Sequence, residues 1–216
     1  MQFRYDIEQG SLEWFELKHG KIGGTRAKGL FIKSDTLLLE LLAEHTEPFD
    51  EDAEDTFKSD AMERGTYLEP QARIELGKYS GIEFLECGFI ESDDELLGIS
   101  PDGISECETI QCEIKCLGAK NHLKLCLKDE IPNEFIPQLI HAFAVNSKLK
   151  KMYFCAYRPE SIKQIFVKEL NRNSLVNIGT EAKPVIKAIH ELVLVIQRES
   201  KFLKEQIEIS INKLKF

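Results

Sequence analysis

The spacing of apolar residues divides the chain into helical stretches at both ends and a β-rich middle. Ser11 to Lys18 carries Trp14, Phe15 and Leu17 behind Ser11 as a candidate N-cap, which predicts a short helix. Gly20, Gly23 and Gly24 break it. Thr25 is placed to cap a second helix to about Lys33, and Asp35 a third through Leu37, Leu38, Leu39, Leu41 and Leu42. A longer helix is expected over about Thr56 to Lys78, with Pro70 positioned to kink or divide it and Gly77 and Gly81 marking its end.

The period then shortens. Ile82 to Ile90, Leu96 to Ile99 and Thr109 to Cys116 read as a meander of three strands, with Ser100-Pro101-Asp102-Gly103 as a turn inside it. Helices follow at about Ala119 to Lys128 and Glu134 to Asn146, then strands at Lys151 to Tyr157 and Ile162 to Leu170. A long amphipathic helix, about 171–215 with an interruption near Pro184, is expected to fill the C-terminal end. Helices, strands, helices and more strands predict an α/β domain with a mixed sheet, read as one domain over 1–216.

Composition agrees with a globular chain: 216 residues, 43% hydrophobic and 30% charged. A core of this size needs neither disulfides nor a structural metal. The six cysteines form no CxxC pair and follow no leader-like segment, and no apolar run reaches bilayer length; a reducing, cytoplasmic setting and no membrane partner are expected.

The net charge of −9 argues at first sight against a nucleic-acid partner. Its distribution weakens that argument. Residues 1–108 stand at −16 and residues 109–216 at +7, and the run from Glu44 to Phe57 holds seven acids with no Lys or Arg. That run, about 44–57, reads as a solvated acidic loop.

The candidate chemistry lies between Gly98 and Cys116. Alternation puts Gln111, Glu113 and Lys115 on one face of a strand and Ile110, Cys112, Ile114 and Cys116 on the other. A hairpin that begins after Asp102 and returns along Thr109 to Cys116 would bring Asp102 beside Glu113, with Lys115 next to them. Two close carboxylates repel unless a cation sits between them, and oxygen ligands suit Mg²⁺ or Mn²⁺ better than Zn²⁺. The lysine would orient or deprotonate a water, and the metal would stabilise charge on a phosphodiester.

Asp102 followed by Glu113-x-Lys115 resembles the signature of PD-(D/E)XK nucleases. Ser-Pro-Asp-Gly is the form it takes in the phage lambda exonuclease and YqaJ-like viral recombinase family. Three further blocks resemble that family in the same order: Glu8-Gln9-Gly10 with Trp14, Gly20-Lys21-Ile22 and Thr25; Gly65 to Arg73 with Glu69 and Ala72; and Phe135-Ile136-Pro137-Gln138. The resemblance covers about 8–157 and implies a restriction-endonuclease-like core.

It also implies roles. Asp102, Glu113, the main-chain carbonyl of Ile114 and Glu69 would hold catalytic Mg²⁺, for which Mn²⁺ could substitute, and Lys115 would position the attacking water. Read without the resemblance, Glu69 is a surface ion-pair partner for Arg73 at i+4. Lys18, Thr25, Ser100 and Gln138 correspond to a 5′-phosphate pocket. The family has Arg where Lys18 stands, and Gly23-Gly24-Thr25 replaces its usual Thr-Ala-Ser, which would loosen the backbone there. The implied activity is 5′-to-3′ digestion of linear double-stranded DNA, leaving 3′ overhangs for phage-type recombination. A trimeric ring around DNA and a single-strand annealing protein as partner are implied with it.

The alternatives are an endonuclease of the same fold, acting on nicks, branches or a recognition sequence, and a catalytically inactive DNA-binding or assembly protein. His141 reads as a structural histidine in preference to a DNA contact. The cysteines at 107, 112, 116 and 126 read as free thiols in preference to iron–sulfur ligands, and Trp14 as core.

Overall fold

The computed structural model describes residues 1–51, 59–180 and 182–215. The part of the acidic run from 52 to 57, and the expected helix start near Thr56, lie outside the described residues.

The N-terminal helices form close to where apolar spacing and capping place them. Strand β1 (Gln2–Arg4) precedes α1 (Leu12–Lys18), whose N-cap Ser11 accepts from the Trp14 N–H. The expected second helix is shorter than its apolar pattern. Gly24–Arg26 forms a 3-10 turn and α2 covers only Lys28–Ile32, so Thr25 sits inside the turn and caps nothing. Ser34, one residue before the expected Asp35, caps α3 (Asp35–Thr46).

Helix α4 (Asp60–Ser80) starts at the Ser59 cap, runs through Pro70 as one element, and ends at Gly81 with Gly77 inside it. Proline removes one backbone donor and crowds the preceding turn. Here Leu68, Ala72 and Leu76, on both sides of Pro70, are buried together against the sheet, and that packing outweighs the local cost.

The expected three-strand meander is divided between two sheets. Strand β2 (Phe89–Glu91) pairs antiparallel with β1 on one side and with β3 (Gly98–Ile99) on the other. After β3 the chain turns through Pro101 and Asp102 and enters β4 (Gly103–Ile104), in a second sheet ordered β4-β5-β6-β7. Proline has no N–H to continue a ladder, so pairing stops at the turn and resumes against a different neighbour.

In the second sheet β5 (Ile110–Lys115) is antiparallel to β4 and parallel to β6 (Lys151–Tyr157); β7 (Ile165–Asn171) closes the other edge antiparallel to β6. Parallel neighbours require a long crossover. It carries α5 (Ala119–Lys128) and α6 (Ile136–Val145). Both faces of the sheet are covered. Helix α4 packs on Cys112, Ile114, Tyr153 and Cys155, while the opposite face, with Met152 and Phe154, joins the core containing α6. Residues Leu139 to Val145 of α6 are all buried.

The C-terminal expectation needs correction. Residues 171–188 hold an antiparallel hairpin of β8 (Leu175–Asn177) and β9 (Ile186–Ala188), and α7 covers only Ile189–Leu214. Its buried residues Ile189, Leu192, Val193 and Ile196 give the helical period, whereas Leu175, Val176 and Ile186 belong to short strands whose apolar residues the same pattern absorbs. No described helix is long and apolar enough to cross a membrane.

Phe143 lies at the centre of this arrangement with no exposed surface. Phe143→Ala is expected to cost about 3–5 kcal/mol of unfolding free energy, read from the urea midpoint at unchanged slope.

Candidate active site

Strands β4 and β5 are in register at Gly103↔Cys112 and Ile104↔Gln111, and their pairing ends there. Gly103 allows this approach: a Cβ would stand 2.8 Å from the Cys112 Sγ and 3.0 Å from the Phe84 Cβ. One residue earlier the chain has left the ladder, and the Asp102 side chain takes the ladder's place. Its Oδ2 accepts the Ile114 N–H at 2.6 Å. In an extended strand the N–H and C=O of one residue point to the same side, so the Ile114 carbonyl faces the same edge as Asp102.

Glu113 and Lys115 project from the face of β5 opposite Ile114. The Glu113 side chain is 3% exposed, and its Oε1 lies 2.5 Å from the Lys115 Nζ. Lys115 also stands 5.4 Å from the Phe135 ring centroid. Glu69 projects from α4 and pairs with Arg73 at 3.0 Å. The structure therefore groups Asp102, Glu113 and Lys115 at one strand end, with Glu69 close enough for its charge to be felt.

The electrostatics are those of crowded carboxylates leaving water. Burial, then the charge of Glu113, pushes Asp102 up to about 7. Burial, then the charge of Asp102, pushes Glu69 up to about 7. Glu113 is raised by burial against the opposing pull of Lys115. Burial alone would lower Lys115, but Glu113, Asp102 and Glu69 outweigh it and hold the ammonium above its ordinary value. Lys115 is thus held as an ammonium, a hydrogen-bond donor, among these carboxylates.

Arg73, which the sequence offered only as an ion-pair partner for Glu69, makes a further contact at the site. Its Nε donates to the Asp102 main-chain oxygen at 2.7 Å, one terminal nitrogen meets Glu69 and the other Glu86. One guanidinium thus ties the Asp102 turn to the helix that carries Glu69. The i+4 pair is real, and its signal in the sequence was the Glu69-to-Arg73 spacing; the link to Asp102 is 29 residues away and left no local trace.

Among the described residues no three acidic, His or Cys side chains already form a metal cage. Glu69 is drawn to Arg73 and Glu113 to Lys115.

The four pocket residues are connected through neighbours. Lys18 and Thr25 line one cleft of about 190 Å³. Trp14 joins Lys18 to Ser100: the Lys18 ammonium lies 3.5 Å from the indole centroid, and the Trp14 Nε1 donates to the Ser100 Oγ at 2.7 Å and to the Gly88 carbonyl. Trp14 is half-buried, and so is not the core residue expected; its polar edge organises this corner. Gln138 packs on Gly24, where a Cβ would meet its Cγ at 2.8 Å. The glycine that looked like a loosened backbone is a close contact between the 3-10 turn and α6.

Glu44 is half-buried, pairing with Arg26 at 2.9 Å and accepting the Gly20 N–H, so this end of the acidic run is not a solvated loop. A larger cavity of about 780 Å³ beside α5, β7 and β8 contains none of the predicted site residues.

His141 is fully buried on α6 and hydrogen-bonds the Gly98 carbonyl at 2.9 Å; burial lowers its pKa, as befits a structural histidine. All six cysteines are free thiols, with Cys112 and Cys155 packed under α4.

The model of the YqaJ-like viral recombinase domain matches residues 13–148. The chain belongs to this family. The matched stretch of this YqaJ-like protein contains Lys18, Thr25, Glu69, Ser100, Asp102, Glu113, Lys115 and Gln138. Among solved structures, an alkaline exonuclease from Laribacter hongkongensis (LHK-Exo), also solved in complex with dAMP, superposes with a TM-score of 0.75 at 24% identity, covering 95% of this chain and 96% of that one. A phage-related exonuclease from Haemophilus somnus 129PT gives a TM-score of 0.56 at 11% identity, with 90% and 96% covered. At these identities the likeness establishes the fold, and the restriction-endonuclease-like core expected from the sequence is the one present. A search of curated proteins found no match.

Arg73→Met keeps the side chain's length and removes its three polar contacts. It is expected to cost about 1.5–3 kcal/mol of stability. Amide exchange at Gly103 and Ile104 should accelerate with it; unchanged protection there would show that the Asp102 turn does not depend on Arg73.

Proposed function

We propose that this YqaJ-like protein is a divalent-metal-dependent deoxyribonuclease that digests linear double-stranded DNA from the 5′ end and leaves 3′ single-stranded overhangs. The observation that carries this reading is the placement of Asp102, Glu113 and Lys115 at the end of the β4–β5 pairing, with the Ile114 carbonyl on the Asp102 side. The exonuclease activity named for the structural neighbours points the same way.

The residues fit Mg²⁺. The available donors are all oxygen, the side chains of Asp102, Glu113 and Glu69 and the Ile114 carbonyl, and the carboxylates hold one another's pKa values up. Mn²⁺ would be accepted by the same donors. When bound, the ion would stabilise charge on the scissile phosphate. Asp102 and Glu113 would hold the ion, with Glu69 leaving Arg73 to complete the acidic set. Lys115, kept protonated by its neighbours, would donate to the attacking water and fix its direction.

Lys18, Thr25, Ser100 and Gln138 would receive the terminal 5′ phosphate: one cation and three neutral hydrogen-bonding groups, tied together by Trp14 and Gly24. Lys18 offers a point charge where a guanidinium would offer a fork. Assembly as a trimer around DNA and partnership with a single-strand annealing protein follow from the family resemblance; a single nuclease domain over 1–216 and a cytoplasmic location, expected from length, composition and cysteine usage, complete the reading.

The test uses linear duplex labelled on either strand. With Mg²⁺, label is expected to leave from 5′ ends only, a chelator should stop the reaction, and closed circular duplex should stay intact. Asp102→Asn and Lys115→Ala should each lower the rate by about 10²–10³-fold. Equal loss from 3′ ends or cleavage of the circle would replace this reading with an endonuclease or a different polarity. Full activity in either variant would remove the site.

A second expectation concerns the pocket. A 5′-hydroxyl end should be digested about tenfold more slowly than a 5′-phosphate end, and Lys18→Ala should narrow that ratio by slowing only the phosphorylated substrate.

A further inference from the structure

Strand β5 is covered on both faces, a setting that selects near-continuous apolar side chains. Gln111 breaks that pattern without being a proposed ligand. It has no exposed surface, and neither its amide Nε2 nor its Oε1 has a hydrogen-bond partner among the described residues. Its in-register neighbours are Ile104 on β4 and Met152 on β6, neither of which offers a polar side chain. Two desolvated, unpaired polar atoms in a strand core are costly, and such local conflicts concentrate at functional sites.

Glu113 is the next residue along the same face. Residues two apart on one strand face are separated by about 6.5–7 Å, a gap that a glutamine side chain and one water can span. Phe154 lies opposite Glu113 on β6. Lys115, two residues on in the other direction, pairs with the Glu113 carboxylate. On the other side of Glu113 along this face stands the buried Gln111 amide, which has both a donor and an acceptor to offer. A polar buried space with several partners is where an internal water is held.

We propose that Gln111 is a positioning residue for Glu113: through one internal water its buried amide fixes the carboxylate opposite Lys115, in the orientation needed to hold a divalent ion. The proposal rests on the metal-site reading given above. Gln111 itself touches neither ion nor DNA. Its role is that of the hydrogen-bonded outer partner that orients a ligating carboxylate.

Two variants test it, Gln111→Met, which keeps the length and removes both polar atoms, and Gln111→Asn, which keeps the amide and leaves room for a second water. Melting temperatures are measured without metal and across a Mg²⁺ titration, with calorimetric Mg²⁺ binding alongside. Without metal, Gln111→Met should melt at or above the wild type, because it removes unpaired polar atoms from the core. It should need about tenfold more Mg²⁺ for the same thermal shift, while Gln111→Asn stays close to the wild type.

Mg²⁺ affinity in Gln111→Met equal to that of the wild type would overturn the proposal and leave the metal site standing. So would a Gln111→Met protein that melts earlier or fails to fold, since Gln111 would then be a structural residue. A wild-type protein that neither binds Mg²⁺ nor shifts its melting with it would overturn the metal site itself, and this proposal with it.

Discussion

The hydrogen bond from the Ile114 N–H to the Asp102 carboxylate is the contact on which the site depends. Strand pairing between β4 and β5 ends at Gly103↔Cys112, so β5 continues beyond its antiparallel neighbour with its backbone turned toward an open edge. A buried N–H must find an acceptor, and Asp102 supplies it from the last residue before the ladder begins. The same bond fixes where an acidic group stands relative to Glu113 and Lys115. It also spares the Ile114 carbonyl, which faces that edge, from ladder pairing with β4.

Around this contact the structure assembles charge that burial disfavours. Asp102, Glu113 and Glu69 raise or reinforce one another's protonation, and two cations from different elements, Lys115 on β5 and Arg73 on α4, compensate them. Arg73 does more than neutralise: it reaches the Asp102 backbone and so couples helix position to turn geometry. The overall charge of −9 is therefore a poor guide to this corner. Part of the acidic surplus is held in ion pairs such as Glu44 with Arg26, and part is concentrated where a cation would be stabilised.

Legibility followed the range of the interactions. Helix α1, helix α5 and strand β6 matched their expected bounds to within a residue, because capping, apolar spacing and β-branched or aromatic runs act over a few residues. The hairpin over 171–188 was read as helix because short strands and an amphipathic helix share an apolar frequency when turns are weak. The meander failed at Pro101, where a local turn signal was right and the pairing partner after it was wrong. Thr25 and Trp14 were misplaced for a different reason: a threonine after glycines looks like a cap and a tryptophan looks like core until the Ser100, Lys18 and Gln138 contacts are known.

The sequence by itself determined the residue types at the site and their order: an acid at the Ser-Pro-Asp-Gly turn, Glu-x-Lys on one face of a strand, and an acid four residues before an arginine on a helix. Alternation along a strand and the helical i+4 relation are properties of the backbone, so they survive without knowledge of the fold. Only the tertiary structure decided that Asp102 bonds the Ile114 backbone, that Arg73 bridges Glu69 to Asp102, that Trp14 joins Lys18 to Ser100, and that the buried Gln111 amide has no hydrogen-bond partner among the described residues. These contacts join distant segments through burial and strand register, which depend on how whole elements pack and leave no periodic mark in the chain.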